Sequence, residues 1–110
     1  MAGTATDAAY LGTYASGVAR ITDDRVEVLR DDLWVNAGAL AWLPDPSGED
    51  LLAVGTLDDG LWLHDVAEGD WTRVGTTEGL PDDDVTAVLA AGDGTVWVAT
   101  RGGLAHVSTR

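Results

Sequence analysis

A period of about 43 to 44 residues runs through this chain, and no other feature of the sequence restricts its folding so strongly. The segment YLGTYASGVARI (residues 10–21) recurs as AVGTLDDGLWLH (residues 53–64), with Gly12-Thr13 over Gly55-Thr56 and Gly17 over Gly60. A third copy, WVATRGGLAHV (residues 97–107), follows with one residue fewer in its turn. Periods of roughly 20 to 50 residues mark stacked supersecondary units that bury their apolar faces against one another.

Each copy has the same grammar: a short apolar run ending in Thr, a turn containing Gly, and a second short run. The pairs Ser16-Gly17, Asp59-Gly60 and Gly102-Gly103 accept positive φ at little steric cost, while the flanking Val, Leu, Trp and Tyr suit a pleated surface. The pattern predicts a β-hairpin in every copy. A helix needs apolar spacing of 3.6 sustained over ten or more positions, and Gly interrupts these runs too soon.

Two further strands are expected in each repeat. Residues 25–29 and 70–74 alternate apolar with polar, as half-exposed outer strands do, whereas residues 38–43 and 84–91 are apolar, rich in small residues, and read as crowded inner strands. Turn chemistry at residues 45–50 and 92–94 separates the inner strands from the hairpins. Four antiparallel strands in a repeat of this length make the blade of a propeller. The expected fold is therefore all-β, a β-propeller fragment of about two and a half four-stranded blades: a partial first blade over residues 1–32, a second over 33–79 and a partial third over 80–110.

The stretch GLPDDDVTAVLAAGDGTVWVATRGGLAHV (residues 79–107) resembles the two-component regulator propeller repeat. The shared elements are Gly79-Leu80-Pro81, the apolar run from Val85 to Leu89, Asp93-Gly94, the Trp97 strand ending in Thr100, and Gly102-Gly103-Leu104. That resemblance implies a sensing or interaction domain of the kind found in larger extracytoplasmic chains. Residues 60–75 are also similar to sialidase-like and photosystem-assembly propellers, although Asp70, Glu68 and Val66 stand where their Asp-box turn has Thr, Gly and Asp.

Composition narrows the function. Nineteen acidic residues against six arginines give a formal net charge of -13, a field that repels phosphate backbones and anionic lipid. Neither nucleic-acid nor membrane binding is expected. The absence of Cys excludes disulfides, thiolate zinc sites and a Cys nucleophile, and leaves the redox compartment open. MAGTATDAAY at the N-terminus lacks the basic start and apolar core of a signal peptide, and the chain reads as soluble.

Catalysis is not expected, because His64 and His106 are the near-neutral bases available and neither sits in a recognisable partner motif. Both are read as packing or surface residues. The acidic runs Asp31-Asp32, Asp58-Asp59 and Asp82-Asp83-Asp84 lack the spacing of a calcium loop, so no metal or cofactor is expected. Among the tryptophans, Trp97 aligns with Tyr10 and Ala53, where a large ring would wedge between blades. Trp62 aligns with Ala19 and Ala105 and reads as core, whereas Trp34, in a connection, is expected to be exposed.

Antiparallel alternation puts the hairpin turns and the blade-to-blade connections at one end. That end gathers Tyr14, Ser16, Trp34, Asp58, Asp59, Asp82, Asp83, Asp84 and Arg101, the expected binding surface for a small-molecule or protein ligand. Propellers close with about four to eight blades, so the end blades of this chain should leave apolar faces open. A homo-oligomer is the expected remedy, a dimer of six blades or a trimer of nine, with about five or seven if strands are shared. Competing readings are part of a propeller lyase or glycosidase, a sensor-domain fragment, and a sequence that assembles without any ligand.

Overall fold

The computed structural model describes residues 2–3, 9–14, 17–23, 25–45 and 50–109. Eleven strands occur among them: β1 (Ala2–Gly3), β2 (Ala9–Thr13), β3 (Gly17–Thr22), β4 (Arg25–Arg30), β5 (Val35–Leu43), β6 (Leu51–Thr56), β7 (Leu61–Asp65), β8 (Trp71–Val74), β9 (Val85–Ala90), β10 (Thr95–Thr100) and β11 (Gly103–Ser108). They form three antiparallel sheets, each running up and down in chain order: β1 to β4, β5 to β8, and β9 to β11. The chain is all-β, as the repeat predicts, and none of the sheets closes on itself.

The repeat is maintained by a shared hydrogen bond. The Thr13 hydroxyl donates to the Gly17 carbonyl (3.1 Å), Thr56 to Gly60 (2.7 Å) and Thr100 to Gly103 (2.8 Å), closing each hairpin across its turn. Gly17 and Gly60 take φ of 81° and 79°, which a side chain at these positions would resist. A Cβ on Gly17 would also lie 1.8 Å from the Arg30 carbonyl oxygen.

One inner strand differs from expectation. β5 begins at Val35 rather than near Gly38, with Val35 opposite Thr56 and Leu40 opposite Val54, so residues 36–39 bulge from the ladder. The bulge aims Asn36 at the neighbouring sheet. Its side-chain amide donates to the Val85 carbonyl (2.7 Å) and to Asp84 Oδ1 (3.1 Å).

The sheets stack in chain order, with β2 against β5 and with β5 and β6 against β9. Period-two alternation lets the middle sheet serve two cores. Leu52 and Val54 face the first sheet and meet Tyr10, Val18, Leu33 and Val35, while Ala53, Leu61 and Leu63 face the third and meet Val85, Val88, Val96 and Val98. Tyr10 stacks on Trp42 with centroids 5.5 Å apart.

Equivalent positions keep the same side throughout. Leu11, Val54 and Val98 face back along the stack, Val54 and Val98 being buried against the preceding sheet and Leu11 being 36% exposed. Tyr10, Ala53 and Trp97 face forward, and the first two are covered by the next sheet. Trp97 is not wedged between sheets as its alignment predicted. It is 41% exposed, because no described residue of this chain forms a sheet beyond the third.

Candidate functional site

The turns β2–β3, β6–β7 and β10–β11 share one end of the molecule with the connections of residues 31–34 and 75–84. Backbone hydrogen bonds tie the two sets together. The Leu57 N–H donates to the Trp34 carbonyl (2.8 Å), and Arg101, in the equivalent turn position, donates to the Asp84 carbonyl (3.1 Å). Gly60 N–H donates to the Asp83 carbonyl (2.9 Å), linking the middle hairpin to the lead-in of the third sheet.

Tyr14 and Trp34 meet on this end, ring centroids 5.4 Å apart and planes at 66°, in an edge-to-face pair. Both are largely exposed, Tyr14 at 58% and Trp34 at 48%. The pair lies where the first and middle sheets adjoin. Ser16 lies outside the described residues.

Three of the acidic residues, Asp59, Asp83 and Asp84, are paired with arginine. Arg73 Nε donates to the Asp59 carbonyl (2.8 Å) and to Asp59 Oδ1 (3.2 Å), and its Nη2 is 3.5 Å from Asp83 Oδ2. Asp83 Oδ1 in turn accepts from the Thr76 N–H at 3.1 Å, and Asp59 Oδ2 accepts from the Trp62 indole at 3.2 Å. Asp84 takes the Asn36 amide and lies 3.8 Å from Arg101 Nη1. Asp82 accepts from the Asp84 N–H (2.8 Å), and Asp58 is exposed in the β6–β7 turn. The nine sequence-derived residues thus divide into an aromatic pair, Tyr14 and Trp34, at one sheet boundary and the ion-paired Asp59, Asp83, Asp84 and Arg101 at the other, apart from Asp58, Asp82 and the undescribed Ser16.

Arg73, Arg30 and Asn36 belong to this end and were not singled out from the sequence. Arg73 had a signal, being the one basic residue among fourteen acidic ones in residues 31–84. Arg30 binds Asp32 through two bonds of 2.7 Å and lies over the Trp62 and Trp71 rings at 4.6 and 5.1 Å. That bidentate bond raises the guanidinium pKa and holds the Asp32 carboxyl below the usual carboxylate range.

An open groove of about 290 Å³ runs between the first and middle sheets, lined by Tyr10, Arg20, Glu27, His64 and Trp71 among others. His64 is buried, stacks on Trp71 at 4.2 Å and has Nδ1 3.3 Å from the Asp70 carbonyl oxygen. Burial pushes its pKa down. His106 is exposed, stacks on Trp97 at 4.2 Å and shares a 2.7 Å hydrogen bond with the Thr95 hydroxyl. Thr95 also binds Asp93, which keeps that carboxyl below its usual range.

Both imidazoles therefore pack on indoles, and their hydrogen-bond partners are a peptide carbonyl and a hydroxyl. Among the described residues, no three His, Asp or Glu side chains converge as metal ligands, and no helix is long and apolar enough to cross a membrane. Comparison with protein-family models, with curated proteins and with solved structures finds no match.

Proposed function

We propose that the three sheets are blades of a β-propeller whose ring is completed by identical chains, as a dimer or trimer, and that the assembly is a non-catalytic binding or scaffolding module. The observation that carries this reading is the repeated link between turn and connection, Leu57 to Trp34 and Arg101 to Asp84, which sets the loops of successive sheets at one end in the same relation. A rigid row of loops on a sheet scaffold is the usual way such folds present a recognition surface. The resemblance of residues 79–107 to the two-component regulator propeller repeat supports the same assignment.

The chemistry of the end defines what it suits. The exposed Tyr14–Trp34 pair offers an apolar edge and two aromatic faces, and the nearby acids disfavour anionic ligands. A neutral or cationic small molecule or peptide fits that combination, whereas nucleic acid and anionic lipid do not.

Binding to arrayed peptides and glycans, compared between the wild-type chain and a Tyr14→Ala/Trp34→Ala double variant, tests the proposal. The expected result is a subset of ligands held by the wild type and lost at least ~10-fold in the variant, with circular dichroism unchanged, as for removal of interface aromatics. Ligand binding that survives the double substitution intact would place recognition elsewhere and contradict it.

A further inference from the structure

We infer that the third sheet of one chain docks, through the face bearing Leu89, Trp97 and Leu104, onto the first-sheet face bearing Leu11, Val26 and Val28 of a second copy. This head-to-tail joint rests on the propeller reading and specifies its partner surfaces. Six apolar side chains that a folded chain would ordinarily hide are exposed on these two faces: Leu89 66%, Trp97 41%, Leu104 64%, Leu11 36%, Val26 68% and Val28 60%.

The chain itself shows what covers such faces. Cross-strand pairing puts Leu89 opposite Trp97 and Ala99 opposite Leu104 on one side of the third sheet, and puts Leu11 opposite Ala19, Ala19 opposite Val28 and Ile21 opposite Val26 on one side of the first. By repeat position, Trp97 and Leu104 correspond to Tyr10 and Val18, which are covered by the middle sheet. Leu11 corresponds to Val54, which is covered by the first sheet. Each open face is therefore the counterpart of a face that meets the other kind within the chain, once between the first and middle sheets and again between the middle and third.

Charge placement points the same way. Residues 9–30 carry Asp23, Asp24 and Glu27 against Arg20, Arg25 and Arg30, and residues 85–109 carry Asp93 against Arg101, so each of these stretches is formally neutral, with Asp7 preceding the first. The acidic excess sits in residues 31–84, with fourteen acids and one arginine. Two copies thus meet through the parts of the chain that repel least. Because the two faces differ, the contact is heterologous, and repetition gives a ring when the rotation closes.

Sedimentation velocity on the full chain, on Trp97→Glu and Val28→Glu variants, and on an equimolar mixture of the two, tests the joint. The wild type should be oligomeric, and each variant should be monomeric with a dissociation constant raised at least ~30-fold, the size of a hot-spot loss. The mixture should form a one-to-one dimer and stop there, since each variant keeps one intact face and the intact faces are complementary. Trp97→Ala and Val28→Ala should move in the same direction by less, which guards against a glutamate variant that fails to fold. A wild-type oligomer whose mass neither substitution changes, or a mixture that fails to pair, overturns the joint and leaves ring formation by another surface standing. A wild-type monomer at every concentration overturns both the joint and the closed ring.

Discussion

At the scale of single residues, the Thr-to-Gly bond closes all three hairpins but sits in different surroundings. Thr56 is fully buried, donates to Gly60 and accepts from the Asp59 N–H at 2.9 Å, whereas the Thr100 bond is exposed to water. Replacing Thr56 by Val strands the Asp59 N–H and removes one of the two bonds to the buried Gly60 carbonyl, which keeps the Thr56 N–H at 3.0 Å. Urea unfolding should therefore show a loss of ~1 to 3 kcal/mol for Thr56→Val and under ~1 kcal/mol for Thr100→Val. Equal losses would contradict the assignment of burial as the cause.

His64 gives the molecule a dependence on pH whose sign follows from its burial. The folded state holds the imidazole pKa below its ordinary value, so the unfolded chain takes up the proton first as pH falls. Its contribution to stability is complete above the ordinary imidazole range and declines as pH falls through that range toward the folded value. Between about pH 8 and about pH 5, the wild type should lose more stability than a His64→Gln variant. Parallel stability curves would show that His64 is protonated as easily in the folded protein as in the unfolded one.

At the scale of elements, the hairpins were legible because their signals are local: Thr at the end of one strand, Gly at the start of the next, and apolar alternation on both sides. All three appear in register, from Thr13 opposite Gly17 to Thr100 opposite Gly103. The β5 bulge was not legible. Asn36 and Ala37 look like connection residues until Asn36 is seen to bond Val85, 49 positions away. Asn36→Ala should cost roughly 0.5 to 1.5 kcal/mol in urea unfolding, the worth of an ordinary hydrogen bond. An unchanged midpoint would mean that water replaces the bond between β5 and β9 without loss.

The candidate site was legible to the same local extent. Strand alternation alone places Tyr14 and Trp34 at one end, but not in contact, and it does not reveal that Arg73 holds Asp59 and Asp83 together. The ring contact depends on how two sheets meet and the Arg73 pairs on how a turn and a connection fold back on β8, none of which periodicity encodes. Trp97 was misplaced for a related reason. Its alignment with Tyr10 correctly fixed which way it faces, but the surface that would cover it is not among the described sheets of the chain.

At the scale of the whole molecule, two sandwiched cores and two open faces follow from three similar sheets stacked in one direction. The middle sheet is satisfied on both sides, and each outer sheet on one. A sheet face carrying Leu, Val and Trp in water is an association surface by default, and the near-neutral ends beside an acidic middle favour end-to-end contact. Sedimentation equilibrium of the full chain over a wide concentration range measures this most directly. The account predicts a mass of two or three times 11.5 kDa that remains constant once the ring has closed. A mass of 11.5 kDa throughout, from a chain with intact strand signal, would contradict it.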